Sequence, residues 1–391
     1  MRKKQSIVRR TPVPHSSSVP LVTPLMPSVV YRSASPDAID AQYDGTAPGY
    51  VYAREGHPNA DVLAHKIDML EGAEGGLIFG SGMAAITGAL LGCVKAGDHV
   101  LGGNQLYGRC LRMMAQELPA LGIETGLADP TDAQAMRAAV KPNTKAILIE
   151  VVSNPTLRIA DISGISQLAK DIGALLIVDN TFTTPRSFRP FEYGADVVVH
   201  SVTKLLAGHS DVTLGYVAAK DPERLEAIEG IWATFGLTPS PFDCWLAERG
   251  LHSFELRFDR AQENAARLAD ALAGHRHVTK VLYPGRPDHP DFDRAEKLLK
   301  GQGGNMVSFI IDGGRTQANA LTKAAPNIAF APTLGDIGTT LSHPPSSSHR
   351  ALSESERAAL GISEGFFRVS VGIEDPDLLI EELSAAIDAS V

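Results

Sequence analysis

The chain is poor in cysteine, with three in 391 residues. Cys93, Cys110 and Cys244 are too few, and odd in number, for a disulfide framework; a reducing compartment, the cytoplasm, is the expectation. Positive charge is also short. Lys and Arg number 36 against 45 Asp and Glu, a net charge of −9, which argues against a general nucleic-acid partner. No apolar run approaches the roughly 20 residues that span a bilayer, so no membrane partner is expected. The basic start MRKKQSIVRR carries Arg9-Arg10, as a twin-arginine export signal would. TPVPHSSSVP follows where an apolar export core belongs, so the segment reads as a flexible basic terminus. The histidines lack metal-ligand spacing, and no metal is expected. What is present is ordinary for a globular chain of more than one domain: 44% hydrophobic and 21% charged residues.

Residues 1–60 are rich in Pro, Ser, Gly and Tyr without sustained periodicity and read as an extended arm. VPLVTPLMPSVVY within it is apolar enough to pack on something. A helix is expected to open at Asn59 as N-cap, with Leu63, Ile67 and Leu70 on one face. Residues 61–255 form the expected α/β domain. Its apolar runs AILIEVV (146–152), LLIVDN (175–180) and DVVVHS (196–201) read as buried strands, with helical stretches such as ISQLAKDIG (165–173) between them. That alternation predicts a mainly parallel sheet covered on both faces. Residues 256–391 read as a smaller α+β domain. It comprises a long helix over about 256–274, strands at MVSFII, NIAFAP and RVSVGI, and a final amphipathic helix.

Asp179 ends one predicted strand and Lys204 follows the next, which puts both at the carboxyl edge where open α/β sheets bind ligands. An ion pair is the plain reading of that placement. Their neighbours suggest more. Ser201 and Thr203 set two hydroxyls beside the lysine. Gly80-Ser81-Gly82-Met83 follows an apolar run and opens a helix, whose N-terminus suits a phosphate. Gly80, Gly82 and Ala85 partly mimic a dinucleotide fingerprint, but no acidic residue ends a second strand about 20 residues on. Amine, carboxylate, hydroxyls and phosphate cradle together point to pyridoxal 5′-phosphate (PLP), held as a Schiff base on Lys204, acting on an amino acid.

VDNTFTTP (178–185), SVTKLLAGHSD (201–211) and RVSVGIED (368–375) resemble the Cys/Met-metabolism, or trans-sulfuration, family of PLP enzymes, from about residue 19 to the C-terminus. The resemblance implies the aspartate aminotransferase type I fold, with a mainly parallel seven-stranded sheet and a smaller C-terminal domain. Lys204 would carry the cofactor and shuttle protons, with Asp179 pairing with the pyridine nitrogen. Gly82, Met83, Ser201 and Thr203 would hold the phosphate, and Tyr107 would stack on the ring and assist proton transfer. Asn154 would lie near the phenolic oxygen, and Arg368 would clamp the substrate α-carboxylate. Tyr52 and Arg54 match a Y-S-R-x-x-N-P-T element that reaches the phosphate of a neighbouring subunit, implying a homotetramer of dimers with shared sites. Without the resemblance, Tyr52 and Tyr107 read as packing aromatics, Arg368 as a strand-edge charge and His209 as a structural hydrogen-bonding residue.

The family's S-L-G-G-x-E-S-L-x-x-H-P becomes Thr333-Leu-Gly-Asp-Ile-Gly338-Thr339-Thr340. Gly338 removes a glutamate bordering the distal substrate group, and Thr339 is expected to replace the serine that seats the lysine. Arg109 stands where methionine γ-lyases have a cysteine, which argues against a dedicated enzyme of that kind. Arg112 matches an arginine of cystathionine-handling members and reads equally as a solvated helix residue. The implied activity is elimination or γ-replacement on a sulfur-containing or O-substituted homoserine-like amino acid, with cystathionine lyase-like C–S cleavage favoured. A cystathionine γ-synthase or homoserine-ester sulfhydrylase is the alternative, and a PLP-binding regulatory protein without turnover is the alternative of another class.

Overall fold

The computed structural model describes residues 14–350 and 352–391; the Arg9-Arg10 segment lies outside them. Among the described residues twelve strands form two sheets. The larger sheet contains β1 (Leu77–Phe79), β2 (His99–Gly103), β3 (Glu124–Ala128), β4 (Thr144–Glu150), β5 (Leu175–Asp179), β6 (Val197–Ser201) and β7 (Gly215–Ala219). Their order is β1-β7-β6-β5-β4-β2-β3. Strands β2 to β6 pair in parallel, whereas β7 runs antiparallel to both β6 and β1. The seven-stranded, mainly parallel sheet expected from the sequence is therefore present, with β7 as its one reversed strand.

Strand alternation decides what faces the site. Ile147, Ile149, Leu176, Val178 and Val198 enter the core on one face. Ala146, Leu148, Ile177, Val197 and Val199 enter the other, beneath the helix Gly82–Cys93. Glu150, Asp179 and Ser201 keep the parity of this second set and so emerge at the strand ends on the side of that helix. His200 has the opposite parity. It turns to the helix Pro58–Glu71, where its Nε2 bonds the fully buried Glu71.

The helix at Pro58–Glu71 starts two residues earlier than expected, and His57 is its N-cap, Nδ1 accepting the Ala60 N–H at 3.1 Å. Proline occupies the first helical position, where its missing N–H costs nothing. Asn59 is drawn inward instead: its amide donates to Pro24 O at 3.0 Å and accepts from Met26 N at 2.9 Å. This pins the arm at residues 23–26, assisted by Trp245 Nε1 donating to Thr23 O. Val19, Leu21, Val22, Val29 and Val30 stay exposed.

The second sheet contains β8 (Val278–Leu282), β9 (Met306–Ile311), β10 (Ala329–Phe330), β11 (Thr340–Ser342) and β12 (Phe366–Ser370), in the order β10-β11-β12-β9-β8. The segment NIAFAP supplies only the two-residue β10. Helices Phe254–Ala273 and Pro376–Asp388 cover one face of this sheet, with Leu268, Leu272, Leu379 and Leu383 buried against Val307, Phe309 and Phe367. Register places Arg368 opposite Ser342 and Ser308 in the middle strand.

Candidate active site

The site lies where the carboxyl ends of β4, β5 and β6 meet the second sheet. Ser81 caps the helix Gly82–Cys93, its Oγ accepting the Ala84 N–H at 3.0 Å. The free N–H groups of the first turn make an anion-binding end. Gly82 lies against Ser201 so closely that a Cβ would stand 2.7 Å from Ser201 Cβ and 2.8 Å from its Oγ. Only glycine lets this helix start that near the hydroxyl. Met83 lines the same turn, with Cys110 Sγ 3.9 Å from its sulfur. Thr203 lies beside them, but Leu214 engages its hydroxyl on both sides, through its N–H at 3.0 Å and its carbonyl at 3.1 Å.

Asp179 is enclosed except for a small face toward the site. Its Oδ1 accepts from Thr181 N at 3.0 Å and Thr181 Oγ1 at 2.6 Å. The Thr181 hydroxyl in turn accepts the Ser201 N–H at 2.8 Å, tying the two strand ends together. Burial raises the Asp179 pKa, opposed by the Thr181 bonds and His200. Glu150 is its register partner on β4. Glu150 Oε1 accepts the Tyr107 N–H at 2.6 Å, while Oε2 is buried without a partner. Burial, and then the Asp179 charge, raise the Glu150 pKa well above the carboxylate range. Two adjacent buried carboxylates resist double ionisation.

Lys204 is half-buried, and its Nζ makes one long contact, to Thr333 Oγ1 at 3.5 Å. Burial, and then the Arg368 charge, lower its pKa below the usual lysine value. Arg368 is 4% exposed. Its Nη1 donates to Asn154 Oδ1 and its Nη2 to Thr333 O, both at 2.7 Å. Its Nε is buried without a partner, and no carboxylate pairs with it among the described residues. Burial pulls its pKa down to about 10.

Thus Lys204, Asp179, Gly82, Met83, Ser201, Asn154 and Arg368 converge. Of the other expected residues, Thr203 and Tyr107 border the site, and the rest lie elsewhere in the single chain. Thr339 does not face the lysine: its hydroxyl donates to Glu374 at 2.8 Å and accepts the Gly372 N–H at 2.9 Å. The hydroxyl in reach of Lys204 is that of Thr333, because Thr333 and Arg368 share a hydrogen bond across the site mouth while Thr339 is drawn to Glu374. Arg112 is an exposed residue paired with Glu117 at 2.9 Å. Tyr52 and Arg54 are exposed and stack on each other at 5.6 Å, away from this pocket. Tyr107 is partly exposed at the mouth, anchored through its backbone. His209 Nδ1 bonds Ala207 O at 2.7 Å. Sequence reasoning passed over Glu150 and Thr333; the only signal for Glu150 was an acidic residue ending an otherwise apolar strand.

A depressed amine, a carboxylate dyad, an anion-binding helix end and an arginine lacking a counter-charge define an enzyme that holds a phosphorylated, amine-reactive cofactor beside an amino acid. The chain belongs to the family of Cys/Met metabolism PLP-dependent enzymes, whose pattern matches residues 9–388. It is 36% identical over 373 residues to an L-methionine gamma-lyase of Porphyromonas gingivalis, covering 95% of this chain and 93% of that one. It is 40% identical over 341 residues to a cystathionine beta-lyase of Bacillus subtilis, covering 86% of each. A cystathionine gamma synthase from Xanthomonas oryzae, solved in complex with cystathionine, superposes with a TM-score of 0.87 at 34% identity, covering 94% of this chain and 93% of that one.

The enzyme is PLP-dependent, and the residues present fit the cofactor. The Gly82–Ser201 approach leaves a cradle that a Cβ would fill. Asp179 presents a carboxylate at the end of β5, and among the described residues Lys204 Nζ has only its long contact to Thr333.

Proposed function

We propose that this enzyme cleaves the C–S bond of a sulfur-containing, cystathionine-like amino acid by elimination, through one site built on Lys204 and Arg368. The observation that carries the reading is the buried Arg368 guanidinium, unpaired at Nε and facing the same residue as the Lys204 amine. A buried guanidinium without a counter-ion is costly unless an anion arrives. The α-carboxylate of an amino acid supplies that anion in bidentate geometry, with Asn154 holding Nη1 in place.

Bound PLP would supply an aldehyde for amines and a ring that accepts electrons from the α-carbon. The chain's residues do the rest. The helix end at Gly82 and Met83, with Ser201, holds the phosphate. Asp179 keeps a proton on the pyridine nitrogen, and Thr181 orients it. The Thr203 hydroxyl proton is donated to Leu214 O, so it reaches a phosphate oxygen only when that bond is released. Lys204, its pKa lowered by burial and by the Arg368 charge, accepts the α-proton as the electron pair it leaves expels sulfur from the neighbouring carbon, and passes a proton to the departing thiolate. Tyr107 flanks the ring at the mouth. Substitution at the γ-carbon of an O-substituted homoserine uses the same residues and is the second reading, supported by likeness to the γ-synthase structure.

The exposed apolar arm and the outward Tyr52–Arg54 pair support a homotetramer built from dimers, in which those two residues complete a neighbour's phosphate site. Three free cysteines, two of them buried, suit work in a reducing compartment. Among the described residues no helix is long and apolar enough to cross a membrane.

The test is product analysis with cystathionine, methionine, cysteine and O-acyl homoserines, with and without added thiol. Cystathionine giving pyruvate or 2-oxobutyrate without thiol supports elimination. A new thioether formed only with thiol overturns it in favour of replacement.

A further inference from the structure

The loop after Lys204 poses a problem of backbone accounting. The carbonyls of Leu205, Leu206 and Ala207 follow the strand end in a tight turn and lie in the interior, where unpaired carbonyls are costly. One side chain reaches all three, sharing the third with His209 Nδ1, which lies 2.7 Å from Ala207 O. Arg257 Nη1 donates to Leu205 O at 3.0 Å, and Nη2 donates to Leu206 O at 3.1 Å and Ala207 O at 3.5 Å. Nη2 also reaches Gly250 O at 2.9 Å, and Nε reaches Ser253 Oγ at 3.1 Å. Arg257 is 7% exposed and forms no ion pair among the described residues. The loop closes on it so tightly that a Cβ at Gly208, whose φ is +76°, would stand 1.8 Å from Nη1.

Arg257 belongs to the helix Phe254–Ala273, and seven residues further on the same face is the fully buried Asn264. Asn264 Nδ2 donates to Gly372 O at 3.0 Å and to Glu374 O at 2.8 Å. Those carbonyls belong to the segment leaving β12, the strand that carries Arg368. The same segment is braced from its other side, where Glu374 takes the Thr339 hydroxyl. One helix face therefore grips both the lysine loop and the exit of the arginine strand. Seven residues span about 10 Å along a helix axis.

We infer that Arg257 and Asn264 are positioning residues that make this helix a strut, fixing the separation between the Lys204 amine and the Arg368 guanidinium. Arg257 acts on the amine end and Asn264 on the carboxylate-binding end. An arginine is required because five donors in a rigid plane reach carbonyls that a lysine ammonium cannot reach together.

The inference rests on the reading of Lys204 and Arg368 given above and is tested in the cofactor-loaded enzyme. Arg257→Lys, Asn264→Ala and, as a control on the exposed face, Arg260→Gln are compared for cofactor dissociation constant, the pH midpoint of the cofactor's visible absorption band, KM and Tm. Arg257→Lys is expected to weaken cofactor binding by about tenfold and to move the pH midpoint, with KM little changed. Asn264→Ala is expected to raise KM by about tenfold and to leave the midpoint and cofactor affinity unchanged. Arg260→Gln changes none of them. If Arg257→Lys does not fold, Ser253→Ala, which removes one Arg257 contact, shifts the midpoint in the same direction by less. A lowered Tm in both variants with the midpoint and KM unmoved, or with both moving together, overturns the strut. Wild-type protein that shows no cofactor band removes instead the underlying reading of Lys204.

Discussion

Lys204 and Arg368 meet on Thr333: the amine contacts its hydroxyl at 3.5 Å, and the guanidinium donates to its carbonyl at 2.7 Å. Lys204 comes from the parallel sheet and Arg368 from the second sheet. The site exists only because the strand ends of one sheet face the middle strand of the other. Burial, and then the Arg368 cation, hold the lysine below its ordinary pKa.

That coupling has a sign. A positive neighbour disfavours a second cation, so the amine of the cofactor-free protein loses its proton at lower pH than an exposed lysine does. The rate at which cofactor-free enzyme takes up PLP should therefore rise with pH and level off below the ordinary lysine pKa of about 10.4. In Arg368→Met the repulsion is gone and the plateau moves to higher pH. Stopped-flow reconstitution across pH reads both; an unmoved plateau contradicts the coupling.

Arg368 should also show a trade of stability for function. Arg368→Met removes a buried guanidinium with an unpaired Nε. The cofactor-free variant is expected to gain about 2 °C or more in Tm. Its KM for amino-acid substrates should rise by about 100-fold. Calorimetry and steady-state kinetics on the same preparation check the two halves.

Glu150 gives a pH-dependent stability. Its folded pKa is raised, so the folded state favours the protonated carboxyl. At pH 4 the unfolded chain is largely protonated as well, and Glu150→Gln should be nearly neutral. As pH rises past the unfolded value of about 4.3, the wild type loses stability that the glutamine variant keeps. The variant should therefore gain in Tm at pH 7 relative to pH 4 while Gln Oε1 still accepts the Tyr107 N–H. Equal effects at both pH values would contradict the raised pKa.

Gly82→Ala tests the phosphate cradle. The new methyl would press on Ser201 from 2.7 Å. Cofactor affinity should fall by about tenfold or more, and the Tm of the cofactor-free protein should fall as well, because the methyl meets Ser201 Cβ and not the end of a flexible side chain. Equilibrium dialysis against PLP measures it; unchanged affinity would place the phosphate elsewhere.

Much of this was legible in the sequence because strand parity is a local property. LLIVDN and DVVVHS fix which side chains share a face, so Asp179 and Ser201 fall together before any tertiary information is used. The glycine-serine-glycine start of a helix is equally local. What the sequence hid depends on long-range partners. Thr333 reaches Lys204 only because β12 places Arg368 across the site, so the lysine's hydroxyl neighbour was sought at Thr339, which Glu374 takes instead. The N-cap at His57 was masked because Asn59, the better intrinsic cap, is drawn to Pro24 and Met26. β7 is as long as β5 and β6, but side-chain alternation carries no strand direction, and β10 has only two residues, too few for any periodicity.

The central claim is that the amine at position 204 holds the cofactor. Wild-type enzyme loaded with PLP, reduced with borohydride and digested should yield one pyridoxyl-modified peptide by mass spectrometry, with the modification on Lys204. A modification on another lysine, or an unmodified Lys204 peptide from fully loaded enzyme, would contradict it.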